Sequence, residues 1–400
     1  MASSARDRLR SIGNLNAVWK AYWKRHSKSA PGADWVTPKV FNSDLIRRLR
    51  TLRAELGDGY GYSALRAIPI SKKRSSKKRL ICIPTVGDRI VQRAVLQEIE
   101  ARASTLGIIN DVSFGFVRQT SGIKRGAHAA RKAVVQERQK RPWAFKADIS
   151  SFFDSIQREE LIRGFNRSFR LRSLEPLIRG AINCEVDSSD PAIRRVLHDN
   201  GIINGRGLRQ GMPLSPILSN FVLRDFDRAY GTHGYHLVRY ADDLIVLGES
   251  MAECQQIQDF TVSELRKLGL KVSETKTMIC NPTEPVEFLG MELGLRPGSK
   301  KYCLTISDEQ MKEIKSAFAR YHDWTVAAGE GLDVAKLFRR LDQMKGGYGA
   351  AYGAAENITD LNERLGQWVE NCATKIYGSI FGADVVRRLD QKKRAFLMLR

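Results

Sequence analysis

The sequence predicts a mixed α/β (α+β) chain followed by an all-helical C-terminal region. Up to about residue 307, short apolar runs bounded by turn residues alternate with segments of helical spacing, and after Asp308 only helical spacing is left. A length of 400 residues allows two or three domains, each with its own core. Hydrophobic residues make up 42% of the chain and aromatic residues 8%, which excludes a disordered basic tail.

The chain is strongly basic. It has 66 Lys and Arg against 44 Asp and Glu, a net charge of +22, and the first 80 residues hold 19 of the basic and only 5 of the acidic residues. This balance favours a polyanionic partner, with nucleic acid as the leading expectation and a merely basic surface as the alternative. No apolar run reaches the roughly 18 residues of a membrane span, and no secretory signal is visible, so we expect a cytoplasmic protein without a membrane partner. Six scattered cysteines make a disulfide framework or a zinc site unexpected.

The first predicted strands lie on either side of a basic cluster. Apolar runs at 67–70 and 80–83 flank the segment 72–79, KKRSSKKR, which is typical of a β-hairpin with a basic tip. A solvated loop is the alternative, but so many like charges repel one another unless a polyanion lies beside them. Helical spacing follows at 88–100, and a strand-like run at 144–149 contains Asp148.

The middle of the chain combines helices with a second hairpin. We expect a helix from Asp154, as its N-cap, to Phe165, followed by a polar, insertion-like connection over 170–204 with a turn at 188–191. The next predicted elements are a helix at 214–226, a hairpin of the runs 236–240 and 244–247, and an amphipathic helix at 252–268. The segment 271–279 then leads into a small sheet formed by 286–293 and 302–306, and helices are predicted from 308 onward.

Three acids mark the ends of predicted strands. Asp242 and Asp243 occupy the tip of the second hairpin, and Asp148 lies at the end of another apolar run. Most adjacent aspartates merely sit on a surface, but like charges beside a hydrophobic core are unfavourable without a counter-ion. Carboxylates from two strand ends suit hard divalent cations such as Mg²⁺. A pair of such ions beside a basic surface points to nucleotidyl transfer.

The motifs around these acids resemble those of bacterial reverse transcriptases of the group II intron and group II-like clade. The YADD of 240–243 resembles their YxDD motif, and seven further segments, before and after it, match motifs in the order of that family. The matching segments are 30–34, 83–92, 145–156, 210–216 (QGMPLSP), 268–270 with Lys276 and Thr277, 288–290, and 346–352.

The resemblance implies a right-hand polymerase, with fingers and palm carrying the YADD hairpin and an all-helical thumb behind them. On this basis residues 1–60 form a basic, RNA-binding N-terminal extension and residues 61–307 form the fingers and palm. Residues 308–385 form a maturase-like thumb and 386–400 a basic tail.

The resemblance also implies roles for individual residues. Asp148 and Asp242 would hold two Mg²⁺ ions, for which Mn²⁺ can substitute, with Asp243 nearby and the Ile149 carbonyl as a further ligand. Phe153 would select deoxynucleotides by excluding a 2′-hydroxyl, or would simply be a core aromatic.

Other implied roles concern the nucleotide and the primer. Lys72 and Arg79 would hold the triphosphate, with Lys73 or Lys77 as alternatives to Lys72. Gln210 would position template and nucleotide. Lys276 would be the general acid toward pyrophosphate, or an ordinary surface lysine. Phe288, Leu289 and Gly290 would form the primer grip.

The predicted function is RNA-directed DNA polymerisation by a stand-alone enzyme. Its expected partners are a template RNA, noncoding or intronic, the cDNA product and dNTPs; the oligomeric state is not predicted. A role in phage defence rests on analogy alone. Two alternatives are an RNA-binding maturase or splicing cofactor with secondary polymerase activity, and an RNA polymerase of the same palm architecture.

Overall fold

The chain forms two compact units, each assembled from separated stretches of sequence. The computed structural model describes residues 4–71, 78–117 and 124–397. Unit 1 comprises Met1–Gly126, Ala147–Val246 and Gln255–Met278, and unit 2 comprises Ala127–Lys146, Leu247–Cys254 and Ile279–Arg400. The predicted division at residues 60, 307 and 385 stays a prediction.

The N-terminal region consists of helices and one hairpin. Its helices are α1 (Ala5–Leu9), α2 (Ile12–His26), α3 (Pro38–Ser43) and α4 (Leu45–Asp58). Hydroxyl side chains cap three of them, because the oxygens of Ser4, Ser11 and Thr37 accept backbone N–H groups that the first helical turn leaves unpaired.

The first predicted hairpin is confirmed in its two strands, and its place in the fingers stays a prediction. Strands β1 (Arg66–Ser71) and β2 (Lys78–Ile83) pair antiparallel, with Arg66 opposite Ile83. The basic tip with Lys72, Lys73 and Lys77 lies outside the described residues. Helix α5 (Val86–Glu100) follows and buries the apolar positions that predicted it, capped by the hydroxyl of Thr85.

The next stretch differs in two places from the prediction. Its elements are α6 (Ala127–Lys140), β3 (Trp143–Asp148), α7 (Phe152–Ser155), α8 (Arg158–Phe169), α9 (Glu175–Ile182) and α10 (Pro191–Asp199). Asp154 lies inside the short α7 rather than capping a long helix, because the extended backbone of Ile156 (φ −61°, ψ 130°) interrupts the helix. The polar connection predicted over 170–204 contains two helices that were not predicted, and α9 buries four apolar residues at helical spacing: Leu177, Ile178, Ala181 and Ile182.

The YADD hairpin is confirmed. Helix α11 (Ser215–Thr232) precedes β4 (His236–Tyr240) and β5 (Asp243–Gly248), and α12 (Met251–Lys267) and β6 (Met278–Cys280) follow. These strands form a sheet in the order β4-β5-β3-β6, which makes the YADD hairpin a neighbour of the strand that ends in Asp148.

A three-stranded antiparallel sheet precedes the C-terminal helices. The run predicted over 286–293 is split into β7 (Val286–Phe288) and β8 (Met291–Leu295), with β9 (Tyr302–Thr305) alongside. From Asp308 the regular elements of the described chain are helical, as predicted. They are α13 (Asp308–Ala319), α14 (Trp324–Gly329), α15 (Val334–Tyr352), α16 (Ile358–Phe381), α17 (Ala383–Arg387) and α18 (Gln391–Phe396).

Each unit has its own aromatic-rich core. In unit 1 the rings of Phe165 on α8 and Phe221 on α11 meet edge to face at 4.9 Å. In unit 2 the buried ring of Phe318 on α13 lies 6.0 Å from Trp368 on α16. Across the described ranges, no helix is both long and apolar enough to cross a membrane.

Candidate active site

The three predicted acids lie together in unit 1. Asp148 ends β3, Asp242 lies in the turn of the β4–β5 hairpin, and Asp243 opens β5. The Ile149 N–H donates to the Asp242 carbonyl at 3.1 Å, which joins the end of β3 to the hairpin turn. On the other side, the Ser273 N–H donates to the Asp148 carbonyl at 2.7 Å. Backbone hydrogen bonds therefore fix the acids relative to one another.

Lys276 reaches the same acids. It ends a short 3₁₀ turn, Glu274–Lys276, and its Nζ donates to Oδ2 of Asp148. The side chain of Lys276 is 64% exposed, whereas that of Asp148 is only 18% exposed. The Lys276 ammonium group therefore lies on the solvent side of Asp148. The predicted general acid is thus found beside the predicted metal ligands.

A buried arginine supports the hairpin turn from beneath. Ala241 has a left-handed φ of 57°, an uncommon conformation for a residue with a Cβ. Arg239 donates from Nη1 to the Ala241 carbonyl at 3.0 Å. The same guanidinium makes a bidentate pair with Asp227 on α11, at 2.6 and 2.5 Å, and both side chains are fully buried. Sequence reasoning missed this pair; the signal was a charged residue inside the apolar run HLVRY.

A glycine loop packs against the other side of the turn. A Cβ on Gly115 would lie 2.8 Å from the Ala241 nitrogen, so only glycine fits this approach. The Asn220 amide on α11 donates to the Gly115 carbonyl at 2.8 Å, and the Phe114 N–H donates to the Arg239 carbonyl at 2.8 Å. The loop 112–117, to which no role was predicted, therefore belongs to the support of the acids.

Phe153 lies in an aromatic cluster beside the hairpin. Its half-buried ring is 5.4 Å from Phe152 and 6.3 Å from Phe116, and Phe116 is 6.3 Å from Tyr240. Phe116 is 42% exposed and has a left-handed φ of 60°, a second aromatic that sequence reasoning missed. The position is compatible with a sugar-contacting ring, and the role of Phe153 stays a prediction.

Gln210 and Arg79 line one small cavity. The Cys82 N–H on β2 donates to the Gln210 carbonyl at 2.7 Å, which ties the QGMP turn to the hairpin. A Cβ on Gly211 (φ 105°) would overlap the Cys82 carbonyl, so this contact needs glycine. The cavity also contacts Asp154, whereas Asp148, Asp242 and Asp243 are not among its described lining residues. The structure thus brings Gln210 together with Arg79 and the acids together with Lys276, and Lys72 lies outside the described residues.

A comparison with known protein families identifies the family to which this chain belongs. The family model described as reverse transcriptase (RNA-dependent DNA polymerase) matches residues 70–293, more than half of the chain. The chain belongs to the reverse transcriptase family. Membership confirms the predicted right-hand polymerase class and the resemblance to bacterial group II-like enzymes.

Named relatives agree with this assignment. The chain is 30% identical over 204 residues to protein YkfC of Escherichia coli K12, covering 50% of this chain and 49% of that protein. It is 24% identical over 342 residues to the group II intron-encoded protein LtrA of Lactococcus lactis, covering 69% and 54%. The chain therefore spans about half the length of these relatives. An apo telomerase structure from Candida tropicalis is similar at 15% identity and a TM-score of 0.42, over 65% of this chain and 59% of that one.

The negative charges of Asp148, Asp242 and Asp243 favour a bound cation beside them. Burial raises the pKa of Asp242, and the neighbouring carboxylates of Asp148 and Asp243 raise it further, whereas Lys276 acts in the opposite direction. The hydrogen bond to Asp148 in turn raises the pKa of Lys276. One ammonium group therefore faces three carboxylates.

The donor set fits a divalent ion that also binds substrate. Among the described residues, no three His, Cys, Asp or Glu side chains are grouped as a ready-made metal site. Mg²⁺ in phosphoryl-transfer sites is held by one or two carboxylates together with substrate phosphates, rather than by an all-protein cage. Asp148 and Asp242 meet that requirement.

The predicted primer grip lies in unit 2. The Phe288 side chain is fully buried, with the Lys146 Nζ 5.1 Å from its ring centroid. Leu289 and Gly290 have φ of 52° and 76° and form the two-residue turn between β7 and β8. The Arg131 guanidinium on α6 donates to the Leu289 carbonyl, so the turn is fixed from below. Contact of these residues with a primer stays a prediction.

Proposed function

We propose that the chain is an RNA-directed DNA polymerase that extends a primer 3′-hydroxyl with dNTPs on an RNA template. The observation that carries the proposal is the convergence of Asp148, Asp242, Asp243 and Lys276 in a chain of this family. A splicing cofactor without polymerase activity would not need these groups in one place, so we do not propose that alternative.

The acids have a defined part in this reaction. Asp148 and Asp242 would hold Mg²⁺, with Asp243 beside them and the Ile149 carbonyl as a further ligand, and Mn²⁺ can replace it. Bound divalent ions would activate the attacking hydroxyl and stabilise the leaving pyrophosphate. The protein's contribution is to hold the carboxylates in place through the backbone bonds at Ile149 and Ser273, and the bound ions would offset the burial and repulsion that oppose the charge of Asp242.

Lys276 would supply the proton for the leaving group. Its raised pKa keeps the ammonium protonated near neutral pH, so it carries the proton that pyrophosphate takes up. In the structure this ammonium is bound to Asp148, so it must exchange that carboxylate for a phosphate when substrate arrives. Its high exposure leaves the side chain free to make that exchange.

The proposed template is RNA bound along the basic N-terminal region. Residues 1–60 contain twelve Lys and Arg and five Asp and Glu. The basic side chains would contact RNA phosphates, and such contacts do not depend on the RNA sequence. The named relatives include a group II intron-encoded protein, and on that likeness we propose a structured noncoding or intron RNA as the natural template.

Primer extension with acid variants tests the proposal. The full chain is incubated with an RNA template, a DNA primer, dNTPs and Mg²⁺, and compared with Asp148→Asn and Asp242→Asn. Asp259→Asn, an exposed carboxylate on α12, is the matched control. We expect DNA product from the native chain and the control only. Product from Asp242→Asn at the native rate would contradict the proposed site.

A further inference from the structure

Trp35 presents its ring to solvent from a strained backbone. The side chain is 70% exposed, and the residue has a left-handed φ of 57°. A left-handed backbone costs free energy for any residue with a Cβ, and exposure of an indole gains nothing for folding. A strained aromatic residue that keeps most of its side chain in solvent is a candidate for ligand contact.

The loop that carries Trp35 is tied to the core of unit 1. The Trp35 N–H donates to the Gly32 carbonyl at 3.2 Å. Gly32 lies so close to Thr85 at the start of α5 that a Cβ would be 2.6 Å from its backbone nitrogen. The buried side chain of Arg89 donates to the Ala30 carbonyl at 2.7 Å and to the Ser29 hydroxyl at 3.0 Å. The indole is therefore held on a fixed support before any ligand arrives.

Arg66 adds a charge to this support. Its guanidinium carbon lies 4.7 Å from the Trp35 ring centroid, a cation–π contact, and the residue opens strand β1 of the basic hairpin. The indole keeps most of its surface exposed despite this contact. A ring backed by a guanidinium group and open to solvent is the arrangement on which nucleobases stack.

A cavity of about 690 Å³ begins at the residue next to Trp35. Asp34 lines it together with Arg47, Arg48 and Glu55, and the first turn of α5 contributes Gly87. The volume exceeds that of a single nucleotide, and the guanidinium groups of Arg47, paired with Asp44, and of Arg48 lie beside it. The cavity gives room for the sugar and phosphate of a nucleotide whose base lies on Trp35.

We propose that Trp35, backed by Arg66, is a stacking platform for an unpaired base of the single-stranded RNA that the enzyme copies. The inference rests on the proposed polymerase function for the identity of the strand. Stacking uses the face that every base has, so the platform is not selective for sequence. A paired base inside a duplex offers no free face, so duplex binding does not use Trp35.

Equilibrium binding without Mg²⁺ tests the platform separately from catalysis. Fluorescence anisotropy of a labelled single-stranded RNA of mixed sequence and of a blunt RNA–DNA duplex is measured with the full chain. Trp35→Ala is compared with Trp35→Phe, which keeps a ring. Trp324→Ala is the matched control, since Trp324 is 45% exposed in unit 2.

We expect Trp35→Ala to weaken single-strand binding about 5- to 150-fold. Trp35→Phe should retain most of the affinity, and Trp324→Ala should match the native chain. Duplex affinity should be unchanged in every variant. Native affinity of Trp35→Ala for the single strand would overturn the inference, as would equal losses for single strand and duplex.

Trp35→Gly separates binding from folding. Glycine takes a φ of 57° without strain, so this variant should melt at or above the native temperature while losing single-strand affinity like Trp35→Ala. A lower melting temperature with native RNA affinity would show that the indole serves the fold instead. Because these measurements need no catalysis, a chain without polymerase activity whose Trp35→Ala variant loses RNA affinity would contradict the proposed function alone.

Discussion

At the scale of single residues, the acids depend on a side chain that never touches them. Arg239 and Asp227 are both fully buried, and their pair is joined to the left-handed turn at Ala241 by one further hydrogen bond. Replacing both partners of a buried ion pair by apolar groups can be neutral, but removing one leaves an uncompensated charge in the core. The pair therefore holds the YADD turn in position through the Ala241 carbonyl.

Asp227→Asn should lower the free energy of unfolding by about 3–5 kcal/mol, since it leaves the Arg239 guanidinium without its counter-ion. Urea denaturation followed by circular dichroism measures this. Asp225→Asn is the control, because Asp225 lies on the same helix with a 59% exposed side chain. If the two variants unfold within about 0.5 kcal/mol of each other, the buried pair does not have the role described.

Phe153→Ala should relax discrimination between nucleotide sugars. Loss of the ring would open space for a 2′-hydroxyl, so incorporation of rNTPs relative to dNTPs should rise about tenfold or more, which corresponds to about 1.4 kcal/mol. Single-nucleotide extension with each sugar measures the ratio. Phe152→Leu is a control in the adjacent, buried ring. Native sugar selectivity in Phe153→Ala would assign the ring to the core.

At the scale of elements, one carboxylate joins three segments around the QGMP turn. Glu185 accepts from Arg158 on α8 at 2.6 Å, from Arg209 at 2.6 Å and from the Gly205 N–H at 2.7 Å. Burial raises the pKa of Glu185, but the hydrogen bonds from Arg158, Gly205 and Arg209 outweigh it and the pKa is lowered overall. The charged form is therefore the one that the fold prefers.

The pH dependence of stability follows from this direction. Because the folded pKa is below the unfolded value near 4.5, ionised Glu185 stabilises the fold above that pH and loses its contribution as the pH falls through the folded pKa. Glu185→Gln should cost about 3 kcal/mol at pH 7, and this cost should shrink as the pH is lowered from 4.5 through the folded pKa. Urea unfolding across this range, with exposed Glu175→Gln as control, measures the difference. A penalty that does not shrink in acid would contradict this account.

The elements show which parts of the fold the sequence could predict. The two hairpins, α5 and the C-terminal helices were predicted because strand alternation and helical spacing are visible locally. Helices α9 and α10 were missed because both are short, at eight and nine residues, and the turn signal SSDP at 188–191 lies between them. The turn at Leu289–Gly290 was missed because both positions lie inside an apolar run.

Within the candidate site, too, residues with a recognisable local motif could be predicted and residues defined by long-range contacts could not. Asp148, Asp242 and Lys276 could be named because their residue types and order match a family, and the structure brings them together. Gly115 could not, since its role depends on contacts with Asn220 and Ala241, more than 100 positions away. Arg239 stood out only as a charge inside an apolar run, and nothing in the sequence identified Asp227 as its partner. Long-range polar networks leave no periodic signal.

At the scale of the whole molecule, the units are discontinuous in sequence. The first 126 residues are joined to later stretches of unit 1 by hydrogen bonds. The Leu65 N–H donates to the Glu185 carbonyl and the Cys82 N–H to the Gln210 carbonyl. The Asn220 amide donates to the Gly115 carbonyl. A fragment of residues 1–126 would leave these groups and the adjoining apolar surface exposed to water.

The isolated fragment 1–126 should therefore fail to fold. Thermal melting followed by circular dichroism should show no cooperative transition, whereas the full chain should show one. A cooperative transition in the isolated fragment would contradict the discontinuous architecture.

The central claim is that the chain copies RNA into DNA at the YADD acids. The most direct measurement is single-nucleotide addition with Mg²⁺ on four RNA templates that differ only at the first unpaired base, each offered one dNTP at a time. We predict that the native chain adds only the complementary deoxynucleotide on each template and that Asp242→Asn adds none. Addition that ignores the template base, addition of ribonucleotides at equal rate, or native addition by Asp242→Asn would contradict the claim.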